Sequence, residues 1–193
     1  MKKIISLFKR DYEKTQLVYD EVVDGAEWVV AGEGVATVKV DGTCCMTRNG
    51  VLFKRYDAKN GKVPPLGWEA AQDPDPITGH HPGWLPVGDG PEDRWHREGG
   101  DALWRDAGRG IPADGTYELV GPKIHGNPYG LHAHTLWRHG AARTIAPRTF
   151  DELRVFLSER PNIEGLVWHH PDGRMVKIKR RDFGLPWPTP EAR

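Results

Sequence analysis

At 193 residues and 21.7 kDa the chain has the size of one large domain or at most two small ones, which excludes a large multidomain machine. Lys plus Arg and Asp plus Glu both number 27, so the zero net charge excludes any partner argued from overall charge and leaves only local patches to make such a case. Glycine (23) and proline (16) are abundant while 38% of residues are hydrophobic, a composition for strands joined by turns around a single main core, with at least one long loop.

The start of the chain, Met1-Lys2-Lys3-Ile4-Ile5-Ser6-Leu7-Phe8-Lys9-Arg10, imitates a secretory leader, but Lys9 and Arg10 interrupt its apolar part before it reaches the needed length. No apolar run approaches a membrane span. The two cysteines, Cys44 and Cys45, are adjacent, and in a strand their side chains point to opposite faces, a poor arrangement for a disulfide or a chelate. These features predict a soluble, reduced, cytoplasmic protein without membrane association.

Residues 35–40 alternate, and residues 43–47 and 51–55 continue as strands around an Asn49-Gly50 hairpin turn. From 69 to 101 eight acidic residues face two arginines, giving this stretch a charge of −6 and the remainder +6, so the body of the protein is basic. Its crowding with proline and glycine predicts an irregular acidic loop over about 64–101, outside the sheet. Residues 116–120 form the next strand, ending at Gly121-Pro122, and a turn-rich Gly126-Asn127-Pro128-Tyr129-Gly130 follows. Thr149-Phe150-Asp151-Glu152 is a capping box, after which Phe150, Leu153, Phe156 and Leu157 recur at helical spacing until Pro161. Two final strands, 165–168 and 175–179, are joined around Pro171-Asp172-Gly173.

The chemistry-bearing strings sit on these elements. In Ala36-Thr37-Val38-Lys39-Val40-Asp41-Gly42-Thr43, period two turns Ala36, Val38 and Val40 inward and sets Thr37, Lys39 and Asp41 on the other face, with Gly42 free to let a ligand approach the backbone. In Met175-Val176-Lys177-Ile178-Lys179-Arg180-Arg181, Val176 and Ile178 face inward and Lys177 and Lys179, with Arg181 next in line, form a row of cations suited to phosphates. Glu118 and Glu164 each sit at the start of an apolar strand. Taken singly, each feature is more commonly a solvated strand face, a lysine-protected edge or a strand-end charge.

The ordered set is more specific than its members. Lys39-x-Asp41-Gly42, Arg55, Glu118, Glu164-Gly165 and Lys177-x-Lys179 resemble the motifs of the covalent nucleotidyltransferases, the superfamily of ATP-dependent DNA and RNA ligases and mRNA capping enzymes. Lys39-Val40-Asp41-Gly42-Thr43-Cys44-Cys45, Tyr117-Glu118-Leu119-Val120-Gly121, Ile163-Glu164-Gly165-Leu166-Val167-Trp168-His169 and Gly184-Leu185-Pro186-Trp187-Pro188 look like segments of the stand-alone 5′-to-3′ RNA ligases known from vertebrates.

That resemblance implies an α+β nucleotidyltransferase fold in which antiparallel sheets enclose a nucleotide cleft, one adenylation domain over residues 1–193 with no OB domain. It also implies an enzyme that joins RNA 5′-phosphate and 3′-hydroxyl ends through a lysyl-AMP intermediate. Lys39 is the matching nucleophile. Asp41 and Glu164 match acids that hold Mg2+ or Mn2+, while Lys177 and Lys179 neutralise phosphate charge. Gly42, Arg55, Glu118 and Lys123 complete the set expected around ATP and the RNA end, with Trp137 the nearest aromatic for stacking adenine. A monomer suffices for this chemistry.

A capping-type guanylyltransferase and a non-catalytic nucleic-acid-binding module on the same fold are the alternatives. The paired histidines His80-His81, His132-x-His134 and His169-His170 find no acid or cysteine at chelating spacing and are expected in loops. Trp168 and Trp187 are expected to be packing anchors.

Overall fold

The computed structural model describes residues 4–59, 62–108 and 112–188; the charged start, residues 1–3, lies outside them. In chain order the strands are β1 (Ile5–Ser6), β2 (Phe8–Arg10), β3 (Val18–Val22), β4 (Val35–Lys39), β5 (Thr43–Arg48), β6 (Val51–Asp57), β7 (Glu69–Ala70), β8 (Pro82–Pro86), β9 (Gly115–Val120), β10 (Thr135–Arg138), β11 (Gly165–His169) and β12 (Met175–Lys179). The α-helices are α1 (Glu27–Val30), α2 (Arg94–Asp106) and α3 (Phe150–Ser158). The result is a mixed α and β structure, mostly strands in antiparallel sheets, and no described helix is long and apolar enough to cross a membrane.

Residues group into two compact units, one over 41–139 and one over 4–40 with 140–188. The first carries a six-stranded antiparallel sheet in the order β10-β9-β5-β6-β8-β7. One face of it, through Cys45, Leu52, Tyr117, Leu119 and Leu136, packs on Trp95, Leu103 and Trp104 of α2. The Asn49-Gly50 turn between β5 and β6 has positive φ at both residues (50° and 76°), the geometry expected of a tight hairpin.

The expectation of an irregular loop over about 64–101 is corrected here. That stretch supplies β7 and β8, at the edge of the sheet, and most of α2. Its glycines are packing devices as much as turn signals: a Cβ on Gly99 would stand 2.5 Å from Leu119 Cδ1, and one on Gly100 3.0 Å from Leu52 Cδ2. The helix therefore lies close on the sheet where side chains are missing. Its first turn is fixed by Asp93, which is buried, ion-paired to Lys54 of β6 and accepts the Gly88 backbone N–H at 2.8 Å.

The second unit carries a four-stranded sheet, β1-β12-β11-β4, in which the β1–β12 pair is parallel and the rest antiparallel, and a two-stranded ladder of β2 and β3. The apolar start of the chain thus contributes a strand, with Ile5 opposite Val176. Ala36, Leu166, Trp168, Val176 and Ile178 turn one sheet face into a core shared with Leu7, Phe8 and Trp28 and with Leu153 and Leu157 of α3. Trp168 and Trp187 are both buried, as packing anchors should be. The helix begins where the capping box placed it, although Thr149 Oγ1 donates to the Glu152 carboxylate at 2.6 Å and caps no backbone N–H.

Candidate active site

In the second unit the register does the positioning. Gly165 of β11 is the direct partner of Lys39 on β4 and of Lys179 on β12, so one row across the sheet reads Lys39, Gly165, Lys179. The neighbouring row on the same face reads Thr37, Val167, Lys177. The predicted alternation in β12 holds, because Val176 and Ile178 are buried while Lys177 and Lys179 face the other way. Three ammonium groups thereby share one face with Glu164, which precedes β11.

Lys39 Nζ donates to Glu164 Oε2 at 2.5 Å and to the Val40 carbonyl at 3.3 Å. Glu164 itself is buried. Burial, followed by the charges of Lys179 and Lys39, pulls the Lys177 ammonium below its ordinary pKa against the opposing pull of Asp182 and Glu164. Gly165 has a structural reason to be glycine, since a Cβ there would lie 2.1 Å from the Ile178 carbonyl oxygen.

Two expectations need correction here. The strand carrying Lys39 stops at that residue, so the period-two argument for a shared Lys39 and Asp41 face does not extend to Asp41. The cation row also stops at Lys179: the chain turns into a 3-10 segment, Arg180–Phe183, and Arg181 donates from Nε to the Trp187 carbonyl at 3.0 Å. The face opposite the core is not simply solvated either. Thr37 is buried, its hydroxyl 3.2 Å from the Val167 carbonyl oxygen and 3.0 Å from His169 Nε2.

In the first unit the other candidates line up across the second sheet. Glu118 of β9 is opposite Cys44 of β5 on one side and Trp137 of β10 on the other. The β5–β6 register continues this row to Arg55, whose guanidinium lies 5.0 Å over the ring of its own partner, Trp84 of β8. Arg55, Cys44, Glu118 and Trp137 therefore share the face opposite the one packed on α2. Burial lowers the Arg55 pKa, against the pull of Cys44 and Asp57. On the α2 side, burial pushes the Cys45 thiol well up.

Asp41 is held by the turn-rich loop. Its carboxylate is 2.7 Å from His125 Nδ1 and its backbone N–H donates to the Tyr129 hydroxyl at 2.6 Å. The Tyr129 ring is 4.9 Å from that of Trp137. Positive φ at His125, Gly126, Asn127 and Gly130 folds this loop, and Asn127 closes it through bonds to Leu131 N and O. Gly42 does permit a close approach, but to the protein itself: a Cβ would lie 2.2 Å from the Leu119 carbonyl oxygen and 2.9 Å from Glu118 Cγ. Lys123 is exposed, and its backbone N–H donates to His134 Nε2 at 3.3 Å.

Sequence reasoning missed His125, Cys44 and His139. His139 Nε2 is 2.6 Å from Glu118 Oε2. The donor atoms of Cys44, Glu118 and His139 all lie within 4.8 Å of one another, making a possible metal-ligand group among the described residues. No short-range spacing signals this group, because its members come from three different segments. The paired histidines instead make local contacts: His134 is buried and stacked on Trp95, His170 lies beside Glu33 and Asp172, and His80 pairs with Asp57.

Comparison with known proteins gives one consistent result. A family model for RNA ligase 1 matches residues 112–193. RNA ligase 1 of Mus musculus is 31% identical over 226 aligned positions, which cover 82% of this chain and 69% of that protein. RNA ligase 1 of Danio rerio is 31% identical over 255 positions, covering 95% and 78%. RNA ligase 1 of Rattus norvegicus is 30% identical over 226 positions, covering 82% and 70%.

Proposed function

Because the chain belongs to the RNA ligase 1 family, we propose that it is an ATP-dependent RNA ligase on a nucleotidyltransferase fold, sealing RNA 5′-phosphate to 3′-hydroxyl ends through an enzyme-bound lysyl-AMP. The observation that carries this reading is the row Lys39, Gly165, Lys179 with Lys177 beside it and Glu164 on the Lys39 amine. A solvated strand face gives no reason to gather three lysines around one buried carboxylate, since like charges on one face repel. A site that receives phosphates does give one.

In the proposed first step Lys39 Nζ attacks the α-phosphorus of ATP, a P–N bond forms, and pyrophosphate leaves with the electrons of the broken P–O bond. The amine attacks only without its extra proton. Lys177 and Lys179 offset the charge of the transferring phosphate. In the second step the AMP passes to an RNA 5′-phosphate oxygen and Lys39 regains a free amine. In the third the RNA 3′-hydroxyl displaces AMP and the phosphodiester forms.

Asp41 and Glu164 offer carboxylate oxygens, the hard donors that Mg2+ or Mn2+ take, and the burial of Glu164 suits a group meant to carry its charge against a cation. Such a cation supplies charge neutralisation at the phosphate when bound. Trp137 takes the adenine, while Glu118, Arg55 and Lys123 contact the ribose, the phosphates or the incoming RNA end. Its RNA partner is bound largely through phosphates, so affinity falls with salt.

The test is the intact mass of the purified chain before and after incubation with ATP and Mg2+. A gain of one AMP, reversed by pyrophosphate and absent in Lys39→Ala, is expected, followed by sealing of RNA carrying a 5′-phosphate and a 3′-hydroxyl. Labelling by GTP alone, or sealing by Lys39→Ala, overturns the reading.

A further inference from the structure

Cys44 and His139 take no part in the reaction proposed above, yet they are brought to Glu118 by the ladder itself. Cys44 is its direct partner on β5. His139 lies two residues beyond Trp137, the partner of Glu118 on β10, and so returns to the same face; its backbone N–H continues the ladder by donating to the Thr116 carbonyl at 3.0 Å. A thiol, a carboxylate and an imidazole thus hold their donor atoms within 4.8 Å of one another.

The contact with Glu118 also orients the imidazole. One of its nitrogens is 2.6 Å from Glu118 Oε2, whereas the other, Nδ1, is buried without a hydrogen-bond partner. That contact turns Nε2 toward Glu118, so Nε2 is the nitrogen that an ion held by both groups would take.

We infer that Cys44, Glu118 and His139 form a binding site for a borderline-soft divalent cation of the zinc class, with ligands separate from the carboxylates assigned to Mg2+. Three protein ligands drawn from cysteine, histidine and glutamate leave a fourth position open, the pattern of zinc sites that exchange a ligand. Thiolate and imidazole select against Mg2+, which prefers oxygen. Cys45 is excluded from the site because it lies on the opposite sheet face, buried against α2.

The experiment titrates the metal-free full-length chain with Zn2+ by calorimetry and with Co2+ by absorption, in excess Mg2+ and without ATP or RNA. One equivalent per chain is expected, with a thiolate-to-cobalt charge-transfer band. Cys44→Ser, a one-atom change at a half-buried position, should remove the band and weaken Zn2+ binding at least about 100-fold, the upper end of what loss of an outer-shell partner costs. His139→Gln should weaken Zn2+ binding as well. Zn2+ binding of equal strength in wild type and Cys44→Ser, or a charge-transfer band that survives in that variant, overturns the inference. No nucleotide enters the measurement, so its failure leaves the ligase reading untouched.

Discussion

Lys39 and Lys179 stand on either side of Gly165, each its direct register partner. The glycine is what lets the strands carry two lysines past a backbone that tolerates no side chain, for its missing Cβ would sit 2.1 Å from one carbonyl oxygen and 2.8 Å from Lys179 Cα. Gly165→Ala must therefore shift backbone rather than a flexible side chain. The expected cost is about 1–3 kcal/mol, the range for forcing atoms into a packed site. Urea unfolding checks the stability loss, and intact mass after ATP checks the accompanying loss of adenylation; a variant as stable and as readily labelled as wild type counts against the row.

Trp137 stands opposite Glu118 on the face away from α2, where an adenine ring could lie against it. Under the proposed function Trp137→Ala removes one stacking contact worth about 1–3 kcal/mol, or about 5- to 150-fold in ATP affinity, while Trp137→Phe keeps most of it. ATP binding by calorimetry decides the matter. Equal weakening by both variants would point to the indole's contact with Tyr129 as the operative one.

How much of this was legible in the residues depended on range. Val176 and Ile178 inward with Lys177 and Lys179 outward is a two-residue period, readable from five letters, and the structure keeps it. The helix after Thr149 announced itself through its capping box and apolar spacing. By contrast, glycine and proline between 69 and 101 read as loop, whereas Gly99 and Gly100 mark where α2 presses on Leu119 and Leu52. Such a glycine is uninformative until its neighbour is known. The grouping of Cys44, Glu118 and His139 depends on how β5 and the end of β10 pair with β9, which no local pattern contains.

Lys54 and Asp93 join β6 to the first turn of α2, with Asp93 only 2% exposed. Burial alone would raise the Asp93 pKa, but the hydrogen bonds from Lys54 and from Gly88 N–H together bring it below 3.8. Its contribution is therefore present above that ordinary value and is lost as pH falls through the lower folded value. Lys54→Met strands a buried carboxylate, with an expected loss of roughly 3 kcal/mol near neutral pH, the low end for removing one partner of a buried pair. Urea midpoints measured from neutral to acid pH should show the gap between wild type and variant narrowing below about pH 4; a constant gap would mean that the charge of Asp93 does not matter.

His170 lies 2.8 Å from the Glu33 carboxylate through Nε2 and 2.8 Å from Asp172 through Nδ1. The hydrogen bond to Glu33, with a smaller contribution from Asp172, lifts its pKa above 6.5, while the Arg174 backbone N–H above all holds Asp172 down at about 2. A raised histidine stabilises the fold fully below its unfolded value and loses that contribution as pH rises through the higher folded value. A two-dimensional NMR titration of the imidazole should therefore show a midpoint above 6.5, and Glu33→Gln should move it downward. The edge-on Trp28 ring, 5.1 Å from the imidazole, offers a second probe, since its resonances should follow the same midpoint. A titration at or below 6.5 in the wild-type chain would show that the two carboxylates do not hold the proton there.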